Sequence, residues 1–315
     1  MLRNNSININ DGFEVNDFIM ENIAVLLAVY NGRPWVDEQL QSILNQTDVN
    51  VDIYISVDLS DDNSYEYLIE KYSSYENIYI LQYGKRYGSA GKNFFRLIKE
   101  VNLEKYNYTA FSDQDDIWDN AKLKQAISAI NKKNVDAYSG NVTAFWENGS
   151  KAVIDKAQRQ VQYDYFFEAA GPGCTYVFTR KLAIDFQKLL NSSKEANDIA
   201  LHDWLLYAFA RSNDFKWYID KNSYMLYRQH SSNEVGANSS IKAWKKRIIL
   251  VNKGWYKKEV CKLINLFNKN NAGLLIWLYS DSYAKKILLA FKTYKLRRRL
   301  RDRITLSLFF IMNIF

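Results

Sequence analysis

The chain has 315 residues, 48% of them hydrophobic, 24% charged and 15% aromatic, a globular composition that excludes disorder, collagen-like repeats and low complexity. Its two cysteines, Cys174 and Cys261, are too few for a disulfide scaffold or a Cys-rich zinc site, and they suit a reducing compartment. The net charge of +7 is uneven: residues 241–315 hold 18 Lys and Arg against three acids, so they carry +15 and the first 240 residues carry −8. An acidic body argues against nucleic acid as its partner, and the basic end points to an anionic surface, a membrane first.

Residues 1–20 read as a polar tail without the charged-then-apolar pattern of a signal peptide, so the expected address is the cytosol. The run Ile23 to Tyr30 is apolar without alternation, which predicts a strand buried on both faces. The turn NGRPW follows, with Pro34 suited to a helix start, and Val36, Leu40, Ile43 and Leu44 then share one helical face. Further strands are predicted at Ile53–Asp58, Ile78–Leu81 and Tyr108–Ser112, with helical patterns at 64–72, 91–101 and 120–132. This alternation predicts an α/β fold over residues 21–240, a mostly parallel sheet flanked by helices, with ligands outside the carboxyl ends of the strands. Those ends are Tyr30–Asn31, Asp58–Asp62, Gly84–Lys92 and Asp113–Asp116. Gly84, Gly88 and Gly91 match neither a phosphate loop nor a dinucleotide fingerprint.

Residues 241–315 form a basic, aromatic, helix-patterned extension that ends in LRRRLRDR and ITLSLFFIMNIF. The apolar end is twelve residues, too short to span a bilayer, and suits an interfacial helix with basic flanks. The alternative is a terminal helix packed on the body.

Four segments carry chemistry. In FSDQDDIW, Asp113, Asp115 and Asp116 crowd the end of a buried strand ahead of Trp118. Such carboxylates raise one another's pKa unless a cation offsets them, and hard oxygen ligands suit Mg²⁺ or Mn²⁺. The bland alternative is a helix cap by Asp116 or Asp119. In ISVDLSDDNS, Asp58 ends a strand where it can accept from a base or a ribose hydroxyl; read alone, an acidic turn with Asp62 is favoured. In HDW, Trp204, Leu205 and Ala208 are spaced to face inward, and Asp203 is either a helix cap or a carboxylate base beside aromatic groups. In YRQHSSN, His230 beside Arg228 can touch a diphosphate or complete a metal shell, against a purely structural histidine.

The order LAVYNG, VDLSDDNS, GSAGKNF, FSDQDDIW, GPGCTYVFTRKLA, HDW and YRQHSSNEVG resembles a family 2 glycosyltransferase of GT-A fold. Within that family it is most similar to the bacterial rhamnosyltransferase-like branch that builds surface polysaccharides, and the likeness runs from Asn22 to Gly236. The resemblance implies that Ala28, Tyr30 and Asn31 contact the nucleotide and that Asp58 binds its base. It makes Asp113 and Asp115 the Asp-x-Asp pair, with Asp115 the direct metal ligand, and His230 a neighbour of the diphosphate and metal. Asp116, Lys92 and Arg228 then serve the donor, Asp203 is the catalytic base, and Trp118, Gly173, His202 and Trp204 line or position the acceptor.

The reaction implied is inverting and metal-dependent. It carries a sugar, with rhamnose favoured, from dTDP-rhamnose or a UDP-hexose to a polyprenyl-diphosphate-linked glycan for O-antigen or capsule. Two departures stand out: His202-Asp203 replaces the usual Glu-Asp, and Val57 and Leu59 replace an Asp and a Gly of the base-binding loop. A nucleic-acid-binding protein using the basic end would leave the carboxylates without a role, and a phosphotransferase or nucleotidyltransferase would leave HDW and YRQH unassigned.

Overall fold

The computed structural model describes residues 20–230, 254–267, 273–280 and 282–315. Residues 1–19 of the polar tail, the 240/241 boundary, and Asn233 and Gly236 lie outside the described residues.

The central strand β1 (Glu21–Val29) pairs in parallel with β2 (Val49–Val57) on one side and β4 (Tyr108–Ser112) on the other, and β3 (Ile78–Ile80) extends the parallel order beyond β2. The side chains of β1 alternate between two cores, which is why its sequence shows no polar alternation. Ile23, Val25, Leu27 and Val29 face α1 (Val36–Leu44), α2 (Ser64–Tyr72) and α4 (Lys122–Lys133). Ala24, Leu26 and Ala28 face α3 (Ala90–Glu100), α5 (Arg180–Ser192) and, past the one-turn α6 (Lys194–Asn197), α7 (His202–Ser212).

Past β4 the parallel order stops. The sheet runs β3-β2-β1-β4-β8-β6-β9-β5, with β8 (Val177–Thr179) antiparallel to β4 and to β6 (Ala137–Phe145). β9 (Trp217–Arg228) is parallel to β6, while β5 (Ile117–Trp118) and β7 (Lys151–Ile154) pair antiparallel at the margins. The sequence patterns named only the first four strands. Of the rest, β5, β7 and β8 are short and are set by their neighbours rather than by their own periodicity.

The described part of the C-terminal extension is built into the body. It comprises α8 (Trp255–Phe267), α9 (Tyr283–Phe291) and α10 (Leu300–Ile311), and Val260, Leu263, Leu289, Leu306 and Phe310 share one core with α3, α5 and α7. The LRRRLRDR run therefore differs from the expected solvated flank. Arg298 is 3% exposed, with its guanidinium donating to the fully buried Asp164 (3.0 Å) and to the Ala169 carbonyl (2.7 Å). Arg297 donates to the Phe167 carbonyl (2.7 Å). The buried Asp164 and the partly buried Glu168 draw these two cations inward, because an unpaired buried carboxylate costs several kcal/mol. Among the described residues, no helix is long and apolar enough to cross a membrane.

Candidate active site

The ends of β1, β2 and β4 lie side by side, so the loops after them form one continuous edge. Asn31 adopts a left-handed backbone (φ 47°) and stitches the first two loops: its N–H donates to Ser60 Oγ (3.0 Å) and its side-chain oxygen accepts from the Asp61 N–H (2.8 Å). Ala28 is buried beneath this turn, and the Tyr30 side chain is exposed. Asp58 is 4% exposed, and its carboxylate accepts the N–H groups of Leu59 (2.8 Å), Tyr87 (2.7 Å) and Gly88 (2.8 Å). Here it anchors the loop that leads into α3. Lys92 lies on the exposed face of the first turn of α3, whose start Ser89 caps by accepting the Lys92 N–H (3.3 Å).

The loop after β4 is braced from three sides. The Gln114 side chain accepts from the Tyr30 N–H (2.7 Å) and donates to the Tyr30 carbonyl (2.9 Å), tying the acidic loop to the end of β1. Arg228, at the end of β9, donates its backbone N–H to Asp116 (3.2 Å) and its Nε–H to the Asp115 carbonyl (2.9 Å), and its guanidinium pairs with Glu38. His230 Nε2 lies 2.7 Å from Asp115 Oδ2, and its ring stacks on Trp35 at 4.2 Å.

Asp113, Asp116 and Cys174 offer ligand atoms within 4.8 Å of one another. Burial, then the negative charges of Asp115 and Asp113, hold the Asp116 carboxyl well above the usual carboxylate range. Asp116 Oδ2 has no hydrogen-bond partner among the described residues. Crowded, partly unsatisfied carboxylates with a histidine alongside fit a hard divalent cation, which would relieve their repulsion. Asp113 and Asp116 are the carboxylates that converge on one point, Asp115 with its partner His230 stands in the same loop, and burial raises the pKa of the Cys174 thiol.

The dipeptide Gly173-Cys174 joins this cluster to Asp203. Cys174 faces Asp113 and Asp116, while a Cβ on Gly173 would lie 2.8 Å from His202 Nε2 and 3.1 Å from Asp203 Cβ. Only a residue without a side chain lets the loop pack this closely on α7. Asp203 is half-buried in the first turn of α7, and its Oδ1 accepts the Trp204 N–H (2.7 Å).

His202 is buried, stacked on Phe94 (3.9 Å) and edge-on to Phe111 (5.0 Å), and burial lowers its pKa to about 3. It is a neutral ring that seats α7. Trp204 donates its indole N–H to the Tyr165 carbonyl (3.0 Å) and is 3% exposed. Trp118, also 3% exposed, lies under the Lys122 ammonium, 3.3 Å from its ring centre. Both tryptophans therefore support the site from inside. Of the two expected places, lining or positioning the acceptor, this burial fits positioning, because their flat apolar faces are taken up by the core.

A family model described as Glycosyl transferase family 2 matches residues 24–179. The dTDP-rhamnosyl transferase RfbG of Shigella flexneri is 49% identical over 296 residues, covering 92% of this chain and 100% of that protein. The chain belongs to glycosyl transferase family 2.

The glycosyltransferase is also 28% identical over 167 residues to WfgD of Escherichia coli, a UDP-Glc:alpha-D-GlcNAc-diphosphoundecaprenol beta-1,3-glucosyltransferase, covering 52% of this chain and 62% of WfgD. Among solved structures it superimposes on S. aureus TarS 1–349 in complex with UDP-GlcNAc (TM-score 0.54, 16% identity, 93% of this chain and 81% of that one). It superimposes likewise on the mannosyltransferase PcManGT from Pyrobaculum calidifontis in complex with GDP-Man and Mn²⁺ (TM-score 0.51, 13% identity, 93% and 85%). These likenesses confirm the GT-A architecture.

Sequence reasoning passed over four residues of the glycosyltransferase site: Gln114, Trp35, Lys122 and Glu259. Gln114 left a weak signal, since a Gln between two Asp residues can pair both polar groups of a neighbouring backbone. Glu259 left none. It reaches from α8 to accept the Ala200 N–H (2.9 Å), three residues before Asp203, across 59 positions of sequence.

Proposed function

We propose that this glycosyltransferase transfers rhamnose from dTDP-rhamnose, with inversion, to a hydroxyl of a polyprenyl-diphosphate-linked glycan during O-antigen or capsule assembly. The supporting observation is the 49% identity that runs through the whole of a dTDP-rhamnosyl transferase. The lipid-linked acceptor draws on WfgD, whose name gives a diphosphoundecaprenol acceptor. Such an acceptor puts the enzyme at the cytoplasmic face of the membrane.

The chemistry follows from the placement of the carboxylates. Asp203 sits in the first turn of α7, at the positive end of the helix dipole. It takes the proton of the acceptor hydroxyl while that oxygen attacks the anomeric carbon from the face opposite the diphosphate. One displacement then inverts the centre, through a transition state of oxocarbenium character. His202, a neutral imidazole, keeps α7 in register and takes no part in the proton transfer. Asp58 and Gln114 hold the loops that meet the nucleotide, and Arg228 fixes the loop of Asp115 and Asp116. Asp115, Asp113 and His230 would hold a Mn²⁺ or Mg²⁺, which would supply charge neutralisation at the diphosphate leaving group.

The test supplies dTDP-rhamnose, Mn²⁺ and a lipid-linked acceptor, and measures dTDP release and glycosylated product. Asp203→Asn should keep the thermal stabilisation by dTDP-rhamnose while turnover falls by about 100-fold or more. Unchanged turnover removes the base assignment. A second reading, a UDP-hexose donor, is favoured by the UDP-glucose named for WfgD. Stabilisation by UDP-glucose and not by dTDP-rhamnose decides for it.

A further inference from the structure

We propose that the outer face of α9 and α10 is a membrane-docking surface that seats apolar side chains among the acyl chains of an anionic bilayer. The proposal rests on the lipid-linked acceptor and specifies how the enzyme reaches it.

Exposed apolar residues are concentrated at one end of the chain. Among the described residues, eleven of the eighteen large exposed hydrophobics fall within 276–312. Phe291 is 76% exposed, Leu300 67% and Ile304 55%. Phe291, Tyr294, Leu300, Arg303, Ile304 and Leu308 line a single open groove of about 330 Å³. The groove has a helical cause. Leu300, Ile304 and Leu308 recur every four residues on one side of α10, while Leu306 and Phe310 bury the opposite side in the core. The helix is thus apolar on two faces, and only one of them is covered.

The rim decides what covers the other. Residues 282–315 hold nine Lys and Arg against the single acid Asp302. Arg297 and Arg298 are spent on Asp164, Glu168 and Asp302, which leaves seven other basic side chains on this segment; Arg303 lines the groove itself and the Arg301 side chain is 67% exposed. Two copies meeting face to face would oppose the same cationic rims, which is repulsive. Anionic headgroups around a shallow apolar insertion satisfy both the charge and the apolar surface.

The face is also mechanically joined to the site. Arg297 and Arg298, just before α10, hold the carbonyls of Phe167 and Ala169. That strand of chain continues to Gly173, packed against Asp203. Docking here brings the lipid carrying the acceptor to the enzyme without a spanning helix.

The experiment is vesicle flotation of the full chain on phosphatidylcholine with and without phosphatidylglycerol. Binding should require phosphatidylglycerol and weaken with salt. The triple variant Phe291→Ser, Ile304→Ser, Leu308→Ser should lose at least about tenfold in partition. Lys292→Glu with Arg301→Glu should lose about fivefold or more for each charge at low ionic strength. Both variants should retain the wild-type melting temperature and transfer to a short-chain, detergent-soluble acceptor. Flotation of the triple variant equal to wild type overturns the proposal. So does a dimer in light scattering that the triple variant dissolves while wild type ignores vesicles. If vesicle binding behaves as described but no glycan acceptor is used, the reading of the reaction falls and the docking face stands.

Discussion

Gly173→Ala tests whether the packing of the 167–173 segment sets the position of the base. The added methyl would lie 2.8 Å from His202 Nε2 and 3.1 Å from Asp203 Cβ. Ordinary contacts between carbon atoms fall at about 3.5–4.0 Å, so something must move by about half an ångström or more. The loop is held, because the Gly173 carbonyl accepts the Tyr176 N–H (2.9 Å) and the Pro172 carbonyl accepts from Thr175 (3.0 Å). Helix α7 is held too, with His202 stacked at 3.9 Å on Phe94 and Trp204 tied to Tyr165.

The strain should cost about 1–3 kcal/mol of stability, typical of overpacking. A displacement of about 1 Å at a reacting group costs up to about 100-fold in rate. The assay compares kcat, the Kd for dTDP-rhamnose and the melting temperature. We expect kcat to fall between about tenfold and 100-fold with Kd unchanged, because Asp58, Asp115 and His230 lie beyond the disturbed contact. A variant with reduced melting temperature and kcat within about twofold of wild type refutes the idea that this contact positions Asp203.

Other outcomes follow from the same geometry. His202 has a folded pKa of about 3 against 6.5 unfolded, so the unfolded chain takes up the proton first as pH falls. Wild-type stability should therefore drop between pH 6.5 and 3, by about 1.4 kcal/mol per unit from this group. His202→Leu should flatten that part of the slope in melts at stepped pH, and equal slopes refute the buried neutral ring. Gln114→Ala removes both bonds to the Tyr30 backbone and should weaken dTDP-rhamnose binding by about tenfold with little change in melting temperature, read by calorimetry. Arg298→Met leaves the fully buried Asp164 with one fewer cation and should cost about 3–5 kcal/mol in denaturant unfolding. A cost below about 1 kcal/mol would place the C-terminal segment off the body.

The local patterns determined a good deal. The apolar run at Ile23 marked β1, and the spacing of Val36, Leu40 and Ile43 marked α1, because a strand buried on two faces and a one-sided helix each write their period into adjacent residues. The strand ends then located Asp58 and the Asp113–Asp116 cluster at one edge. Tertiary structure decided what no period encodes. It chose antiparallel pairing for β8, spent the Asp58 carboxylate on backbone amides of a distant loop, and set His230 against Asp115 across 115 residues. It also divided one arginine run between buried acids and solvent, pairing Arg298 with Asp164 across 134 residues. A charge in sequence carries no record of its partner. The partner is settled by which buried acid would otherwise stay unpaired once the helices have packed.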